Sequence, residues 1–559
     1  MLEKNKTWAV IALMFLFAAV FFRNTASDLP LIFKKDLLAH DESSNSVVAA
    51  NITRKFFPPM VRVNPLVDEQ KIWMEGPYWQ HIPPLFAYVP YVFFQLDGEV
   101  TIEVKRLSFA FLILLTGLIF IWGVYQYRKN VGAAIAGTVA AIAWVNTPFT
   151  HELVTGYAFG VSDIVLAFSV VCSFVAILWY LKRDRGERIM YPMWKLALVG
   201  SIVALPIMVK NLLGAIPAAT YIILLLWDNK KINKQFVVAA TGFLGILLLY
   251  YLPLYFASPE TFKKEILIGF LHMQDLEGWG RPWHYYFSNY FPQRYLFDWT
   301  WLYFIGLILA IALRFIYKGY KTLWLSGIWF AWNLVAVTLI ESKIANFVFQ
   351  SYLLSLYFIF YSILVLILNL IRGPGEKLIS RLQPFLGAAV IVTMVLSGYQ
   401  AVKLVRQFNV HRAQAYDYQS EREKFYGSAE QMREYGINQK DLVIVHVSDN
   451  DCWFRYNVLF LTGAEAKTLL EMSFGFNAKH IKDKYTRMYF VTNELGSMRF
   501  GEYTTTEYSL ADMPQQQIKN TIDQLITDRQ ADINQDIEGI KKDKTSCQWL
   551  VPDEILNAN

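Results

Sequence analysis

The sequence predicts a mainly helical polytopic membrane protein with about eleven transmembrane helices and a small C-terminal α/β domain. Of its 559 residues, 55% are hydrophobic and only 18% are charged, which is too little charge for the surface of a soluble protein. The hydrophobic residues are gathered in runs of about 20, the length that a bilayer requires. The segment after residue 400 is polar and mixes short strand patterns with a helical one.

The apolar runs and the charges between them predict the topology. The runs lie at about 8–22, 107–125, 131–149, 160–181, 194–210, 212–227, 236–256, 299–317, 322–340, 347–371 and 384–399. If these spans alternate, the basic loops all fall on one side, which is the cytoplasmic side. The basic loops are 126–130, 182–188, 229–234, 318–321 and 372–381. The N-terminus is then cytoplasmic, and the long loop 23–105 and the C-terminal segment are extracytoplasmic.

Two domains follow from this pattern. Residues 1–400 form the membrane domain with its first outer loop at 23–105, and residues 401–559 form an extracytoplasmic α/β domain. In the second domain we predict strands at 441–447, 456–462 and 488–492 and a polar helix at 513–540. Within the first loop, residues 46–57 predict a short amphipathic helix lying along the membrane interface.

Composition and motifs exclude several functions. The net charge of +6 is explained by the basic cytoplasmic loops, so no nucleic-acid partner is expected. The chain has no glycine-rich phosphate loop, no nucleotide fingerprint, and no CxxC or HExxH metal motif. Cys172 is interpreted as inert packing, whereas Cys452 and Cys547 would allow a disulfide if their domain is exported.

Acidic residues on the outer side are the first candidates for chemistry. Asp41 and Glu42 are adjacent and lie just beyond the first span, where an enzyme of the membrane surface needs a base. The alternative is that Asp41 only caps the helix that follows. Asp163 lies near the outer end of the 160–181 span, where it either lines a cavity or is solvated at the interface.

Cations and aromatic residues collect on the same predicted side. Lys210 either extends to the headgroups or faces a buried phosphate. The loop 278–294 contains Arg281 and Arg294 among many aromatics, which suits an aromatic belt or a sugar beside a phosphate. Lys343 adds a cation at the next outer turn.

This inventory favours group transfer from a phosphate leaving group. A base would deprotonate the acceptor, and the cations would stabilise the charge on the departing phosphate. Two alternatives remain open at this stage: a phosphotransferase that moves a lipid headgroup, and a transporter, which would place its polar groups near the middle of broken spans.

Several motifs follow one another in the first 370 or so residues. They are Asp41-Glu42 with Arg54, His81-Ile82-Pro83-Pro84-Leu85, Asp163, Val209-Lys210-Asn211, Arg281-Pro282-Trp283-His284-Tyr285-Tyr286, and Ser342-Lys343 with Tyr352. These motifs resemble those of the GT-C superfamily of polytopic glycosyltransferases, in particular its aminoarabinose transferase and protein O-mannosyltransferase branch. Asn211 stands where that family usually has glycine, and Ile82 interrupts the His-Pro-Pro spacing.

The resemblance implies transfer of a sugar from a polyprenyl-phosphate donor to a lipid, glycan or protein acceptor, in a bacterial inner membrane and on its outer side. The implied catalytic residues are Asp41, Glu42 and Asp163. The implied donor-phosphate ligands are Arg281, Lys343, Lys210 and His81. The implied substrate-lining residues are Tyr78, Trp283, Tyr285 and Tyr352. No nucleotide is implied and no metal ligand is assigned, although paired acids near a phosphate are compatible with a divalent cation.

Overall fold

The structure is a computed structural model that describes most residues of the chain. The described residues are 2–35, 40–66, 78–79, 83–147, 149–150, 153, 161–182, 192–229, 234–273, 280–286, 304–308, 311, 320–341, 346–372, 420–447, 451–493 and 497–543. They form two compact units. The membrane unit contains Met1–Ile32, Ile82–Phe86 and Leu107–Gln414, and the sheet unit contains Phe33–His81, Ala87–Arg106 and Ala415–Asn559.

The part of the chain before residue 373 is helical in nearly all its described segments. Its helices are α1 (Leu2–Ile32), α2 (His40–Arg54), α3 (Leu85–Asp97), α4 (Ile102–Arg128), α5 (Val131–Val145), α6 (Val161–Leu181), α7 (Met193–Ala204), α8 (Ile207–Lys210), α9 (Ile216–Asn229), α10 (Lys234–Ala257), α11 (Pro259–Met273), α12 (Lys321–Leu339) and α13 (Asn346–Arg372). A 3₁₀ turn over Asn211–Gly214 separates α8 from α9.

Seven described helical stretches are long and apolar enough to cross a membrane, so the chain is an integral membrane protein. They are Asn5–Ala26, Ile102–Arg128, Ser162–Leu181, Met193–Lys210, Lys234–Ala257, Lys321–Leu339 and Phe347–Leu368. The predicted spans at 131–149 and 212–227 correspond to shorter apolar helices, Val131–Val145 and Ile216–Leu226. Most of the predicted 299–317 span and all of the 384–399 span lie outside the described residues, so the total of about eleven stays a prediction.

Aromatic rings and small residues pack the membrane unit. Trp144 of α5 stacks on Phe349 of α13 with ring centroids 5.3 Å apart. Helices α7 and α10 approach each other closely because Gly200 and Gly242 face the backbone of the opposite helix, at Ala239 and Ala197. Small residues at such crossings are typical of membrane helices, where close backbone approach replaces the hydrophobic effect.

The sheet unit contains the C-terminal α/β fold that the sequence predicts. Its elements are α14 (Ser420–Tyr435), β1 (Asp441–His446), α15 (Asp451–Thr462), β2 (Glu465–Thr468), α16 (Leu469–Ser473), α17 (Ala478–Lys484), β3 (Arg487–Thr492), β4 (Met498–Phe500), β5 (Tyr503–Ser509), α18 (Gln515–Asp528) and α19 (Gln530–Asp543). The strand order is β2-β1-β3-β5-β4. Strand β1 is parallel to β2 and β3, whereas β5 is antiparallel to β3 and β4.

The strands predicted at 441–447 and 488–492 are confirmed as β1 and β3. The strand predicted at 456–462 is wrong, because this run forms the second half of helix α15. Residues 454–462 of that helix are all buried, and a short apolar run buried on every side has the same pattern in a helix as in a strand. The predicted polar helix is divided into α18 and α19. Cys547 lies outside the described residues, so the disulfide stays a prediction.

Helix α2 differs from the amphipathic helix that the sequence predicts at 46–57. It spans His40–Arg54, and residues 45–52 are buried without a break. Burial at eight successive positions covers every face of a helix, because 3.6 residues complete one turn. The helix is enclosed by protein in the sheet unit, where it packs on α15.

Candidate functional site

Asp163 occupies the first turn of α6 in the membrane unit. Its side chain is 1% exposed, which rules out the interpretation of a simply solvated acid. The unpaired backbone N–H groups of a helix start carry partial positive charge, and this charge favours a carboxylate. The helix end therefore supplies part of the stabilisation that a buried acid needs.

Lys210 ends a broken span. Pro206 has no N–H to donate, so the helix that begins at Met193 stops at Ala204 and restarts as the single turn α8. The backbone N–H groups of Val209 and Lys210 both donate to the Pro206 carbonyl. Lys210 thus lies at a helix C-terminus, where the partial negative charge of the carbonyls favours a cation.

Asn211 turns the chain immediately after Lys210. Its φ of +41° lies in the left-handed region, which glycine enters freely and asparagine enters more readily than other residues. This geometry explains why Asn211 can stand where the resembled family usually has glycine. The Tyr251 hydroxyl of α10 donates to Asn211 Oδ1 at 2.9 Å and lies 3.2 Å from the Ile207 carbonyl, so it fixes both ends of the turn.

Asp163 and Lys210 form an ion pair, with Lys210 Nζ 2.5 Å from Asp163 Oδ1. The structure therefore brings together two of the predicted site residues, one from each of two predicted spans. The lysine side chain remains 13% exposed, so its ammonium group is not sealed as the carboxylate is. An ammonium group has three donors, and those that do not bond Asp163 can bond an anion.

Lys210 and Arg281 contact the residues that flank the segment 342–345. Lys210 Nζ lies 5.7 Å from the ring centroid of Phe347, at the start of α13. The backbone N–H of Arg281 donates to the carbonyl of Glu341, shortly after the end of α12, at 3.3 Å. Lys343 lies between Glu341 and Phe347 in sequence, outside the described residues.

A buried amide network fixes the start of α13. Asn333 of α12 donates through Nδ2 to the Phe347 carbonyl at 3.0 Å and to Ser351 Oγ at 2.9 Å. Gln350 donates to Asn333 Oδ1 at 2.7 Å. All three polar side chains are buried, and their mutual bonds compensate for the loss of water. These bonds therefore fix the start of α13, where Phe347 contacts Lys210.

The segment around Arg281 presents its polar groups outward. The Arg281 guanidinium is exposed and donates to the carbonyl of its own neighbour, Gly280, at 3.3 Å. Trp283 is 68% exposed, whereas Tyr285 is half-buried. Tyr352, in α13, is buried. Their role in lining a substrate stays a prediction.

The remaining predicted residues are described in part or not at all. Asp41 and Glu42 lie in the first turn of α2, but their side chains are outside the described atoms. They belong to the sheet unit, as does Tyr78, which forms an antiparallel bridge with Met60. His81 and Lys343 lie outside the described residues.

Sequence reasoning missed Tyr251, Phe347 and Asn333. Asn211, next to Lys210, could have been recognised from the sequence, because an asparagine at a break between two apolar runs is typical of a left-handed turn. The other three are ordinary span residues whose role depends on contacts between distant helices. In the described part of the chain, no group of three or more His, Cys, Asp or Glu side chains could hold a metal ion.

No protein-family model matches the chain, and no curated protein sequence does. Among solved structures, the chain is similar to ArnT from Cupriavidus metallidurans bound to undecaprenyl phosphate, at 13% identity. The match covers 90% of this chain and 99% of ArnT, with a TM-score of 0.51. The chain has the GT-C fold.

The chain is also similar to the archaeal oligosaccharyltransferase AglB from Archaeoglobus fulgidus, solved with an inhibitory peptide and a dolichol-phosphate. AglB is 12% identical over 85% of this chain and 69% of its own, with a TM-score of 0.48. At these identities the GT-C likeness establishes the fold alone. The chemistry of this chain has to be argued from its own residues.

Proposed function

We propose that this chain is a membrane glycosyltransferase that moves a sugar from a polyprenyl-phosphate donor to an acceptor hydroxyl on the extracytoplasmic side. The observation that supports this most strongly is the ion pair between Asp163 and Lys210, because it joins an acid and a cation of the predicted site. The GT-C fold is consistent with it, because ArnT with that fold binds undecaprenyl phosphate.

The cations are assigned to the donor phosphate. The exposed Arg281 guanidinium offers paired N–H donors that match two oxygens of a phosphate. Lys210 offers donors that do not bond Asp163, and Lys343 and His81 are proposed as further ligands. Charge develops on the phosphate oxygen as the glycosidic bond breaks, so cations fixed there stabilise the transition state more than the bound donor.

The acids are assigned to the acceptor. Asp41 takes the proton of the acceptor hydroxyl, and Glu42 orients it. The acceptor oxygen attacks the anomeric carbon, and the bond from that carbon to the phosphate oxygen breaks. The electron pair leaves with polyprenyl monophosphate. One direct displacement inverts the anomeric configuration, because no enzyme nucleophile intervenes. Asp163 fixes Lys210 and is proposed as the second acid.

The position of Asp163 in the first turn of α6 also favours a transferase over a transporter. A transporter concentrates its charged groups near the middle of broken spans. Here the ion pair joins the start of one predicted span to the end of another.

The test is Asp41→Asn in the purified protein, reconstituted in nanodiscs with synthetic undecaprenyl-phosphate sugars and an envelope extract as acceptor source. We expect sugar transfer to fall about 100-fold or more, the usual effect of removing a general base. Asp97→Asn is the matched control, because Asp97 is an exposed acid of the same predicted loop. Transfer by Asp41→Asn within about twofold of wild type would contradict the assigned base.

A further inference from the structure

We propose that the C-terminal part of the chain is a positioning element of the transferase site, and that it acts by fixing helix α2. Helix α2 carries Asp41 and Glu42 in its first turn. The inference rests on the proposed function, since it gives α2 a catalytic purpose. It assigns Arg54 as the principal positioning residue, with supporting contacts on both sides of the helix.

Arg54 attaches the end of α2 to helix α15. Its Nη2 donates to the carbonyls of Phe460 and Leu461 at 3.0 and 3.2 Å, and its Nη1 donates to Asn51 Oδ1 at 2.7 Å. Phe460 and Leu461 lie in the last turn of α15, where carbonyls have no partner inside the helix. Burial lowers the pKa of Arg54 to about 10, so the guanidinium stays charged at neutral pH.

Gly463, which follows α15, has no side chain to block the approach of Arg54. Its φ of +73° is the left-handed conformation that glycine provides after a helix end. A Cβ at this position would also lie 2.6 Å from Arg54 Nε, closer than such atoms approach. Both the backbone conformation and the close approach of Arg54 therefore require glycine.

The chain that follows α2 is bound to the same C-terminal elements. Arg62 forms a fully buried ion pair with Glu465 of β2. Asn64 donates to the Gln439 carbonyl at 3.1 Å, and its own carbonyl accepts from the Tyr485 hydroxyl at 2.8 Å. Breaking a buried ion pair costs far more than breaking an exposed one, so Arg62 and Glu465 hold this segment firmly.

The chain that precedes α2 is bound to α14. Lys34 pairs with Glu423 at 3.2 Å, and Lys35 pairs with both carboxylate oxygens of Glu430 at 2.9 and 3.0 Å. The bond to Glu430 raises the pKa of Lys35, which remains a cation at neutral pH. Lys35 precedes Asp41 by only six residues.

Helix α2 is thus attached to the C-terminal part before it, along it and after it. A catalytic group contributes fully only when its support holds it near the productive geometry, and a displacement of about 1 Å can cost about 100-fold in rate. The C-terminal part therefore orients the acid pair of α2.

The first measurement needs no substrate. Hydrogen–deuterium exchange of residues 40–54 is compared in nanodiscs for wild type, Arg54→Gln, Arg54→Lys and Arg487→Gln. Arg487 is the matched control, because it forms an ion pair with Asp441 at 2.9 Å within the sheet and, among the described residues, makes no bond to α2. We expect exchange in α2 to rise about tenfold or more in Arg54→Gln, less in Arg54→Lys, and to stay at the wild-type rate in Arg487→Gln.

The second measurement uses the transfer assay. Arg54→Gln should lower kcat about tenfold while the KM for the donor stays within about twofold, because the donor ligands belong to other segments. Arg54→Lys should recover part of kcat, and Arg487→Gln should retain it. Lys35→Gln is a second variant that does not threaten folding, since the Lys35 side chain is 53% exposed. It should raise exchange at the start of α2.

Unchanged α2 exchange in both Arg54→Gln and Lys35→Gln would overturn the inference, as would a kcat for Arg54→Gln equal to that of Arg487→Gln. Failure of the proposed function has a different signature. In that case Asp41→Asn keeps its transfer activity, or no polyprenyl-phosphate sugar is turned over, whatever α2 exchange shows.

Discussion

Lys210 and Asp163 form an ion pair that joins the end of a broken span to the first turn of α6, with 2.5 Å between Nζ and Oδ1. Opposite helix ends favour the two charges, because the lysine lies at a C-terminus and the aspartate at an N-terminus. The pair therefore fixes the position of Lys210 beside Phe347 at the start of α13.

The effects of Asp163 and Lys210 substitutions on the free energy of unfolding should depend strongly on each other. Asp163→Asn leaves a partly buried ammonium without its counter-charge, so we expect the free energy of unfolding to fall by about 3 kcal/mol. Asp163→Asn combined with Lys210→Gln removes both charges and should recover part of that loss without recovering transfer. Unfolding by SDS in mixed micelles measures this coupling. Additive losses in the double variant would show that the pair is not coupled.

Arg281 should act on donor affinity. Arg281→Gln removes a charged bidentate donor, so we expect the KM for an undecaprenyl-phosphate sugar to rise about tenfold or more. Arg281→Lys keeps the charge without the paired geometry and should be intermediate. Lys263→Gln is the control, because Lys263 is an exposed cation that pairs with Glu260. Equal donor KM values for all three variants would remove Arg281 from the phosphate site.

The turn after Lys210 should depend on Asn211 and Tyr251. Asn211→Gly keeps the left-handed conformation and should be tolerated, whereas Asn211→Val should destabilise by about 2 kcal/mol, because a branched side chain opposes φ of +41°. Tyr251→Phe removes the bond to Asn211 and should cost about 1 kcal/mol. SDS unfolding measures each variant. A valine variant as stable as the glycine variant would contradict the explanation.

Because of Glu471, the stability of the sheet unit should decrease at acid pH. Burial alone would raise its pKa, but Arg455, Lys467 and Arg62 together hold the pKa well below the usual 4.5. The charged carboxylate therefore stabilises the fold above about pH 4.5, and this stabilisation is lost as pH falls towards the lowered pKa.

Glu471→Gln should lower the unfolding temperature of the full chain at pH 7, and the difference from wild type should shrink below about pH 4.5. Glu502→Gln is the control, since Glu502 forms an exposed pair with Lys424. A deficit for Glu471→Gln that stays constant from neutral to acid pH would contradict the prediction. The same assay therefore checks both the sign and the pH range.

Long apolar spans and the main strands could be predicted from sequence, because hydrophobic length and period are local properties. Asp163 and Lys210 could be singled out for the same reason, since a charge between apolar runs is conspicuous. Their mutual pairing could not be predicted, because it depends on where the break at Pro206 directs the chain.

The errors have one physical cause, which is burial by partners distant in sequence. Residues 456–462 looked like a strand and residues 46–57 looked like a helix of the membrane interface. Residues 456–462 lie in helix α15 and residues 46–52 in the buried part of α2, and these two helices pack against each other. Each helix covers apolar residues of the other, and this contact cannot be read from either segment alone.

The central claim is best tested with a donor labelled twice, with ³H in the sugar and ³²P in the phosphate of undecaprenyl-phosphate sugar. The purified protein is given this donor with an envelope extract, and the labels in lipid and product are followed by chromatography. We expect ³H to move to the acceptor while ³²P remains in undecaprenyl monophosphate. Transfer of both labels to one product, as in a phosphotransferase, or of neither would contradict it.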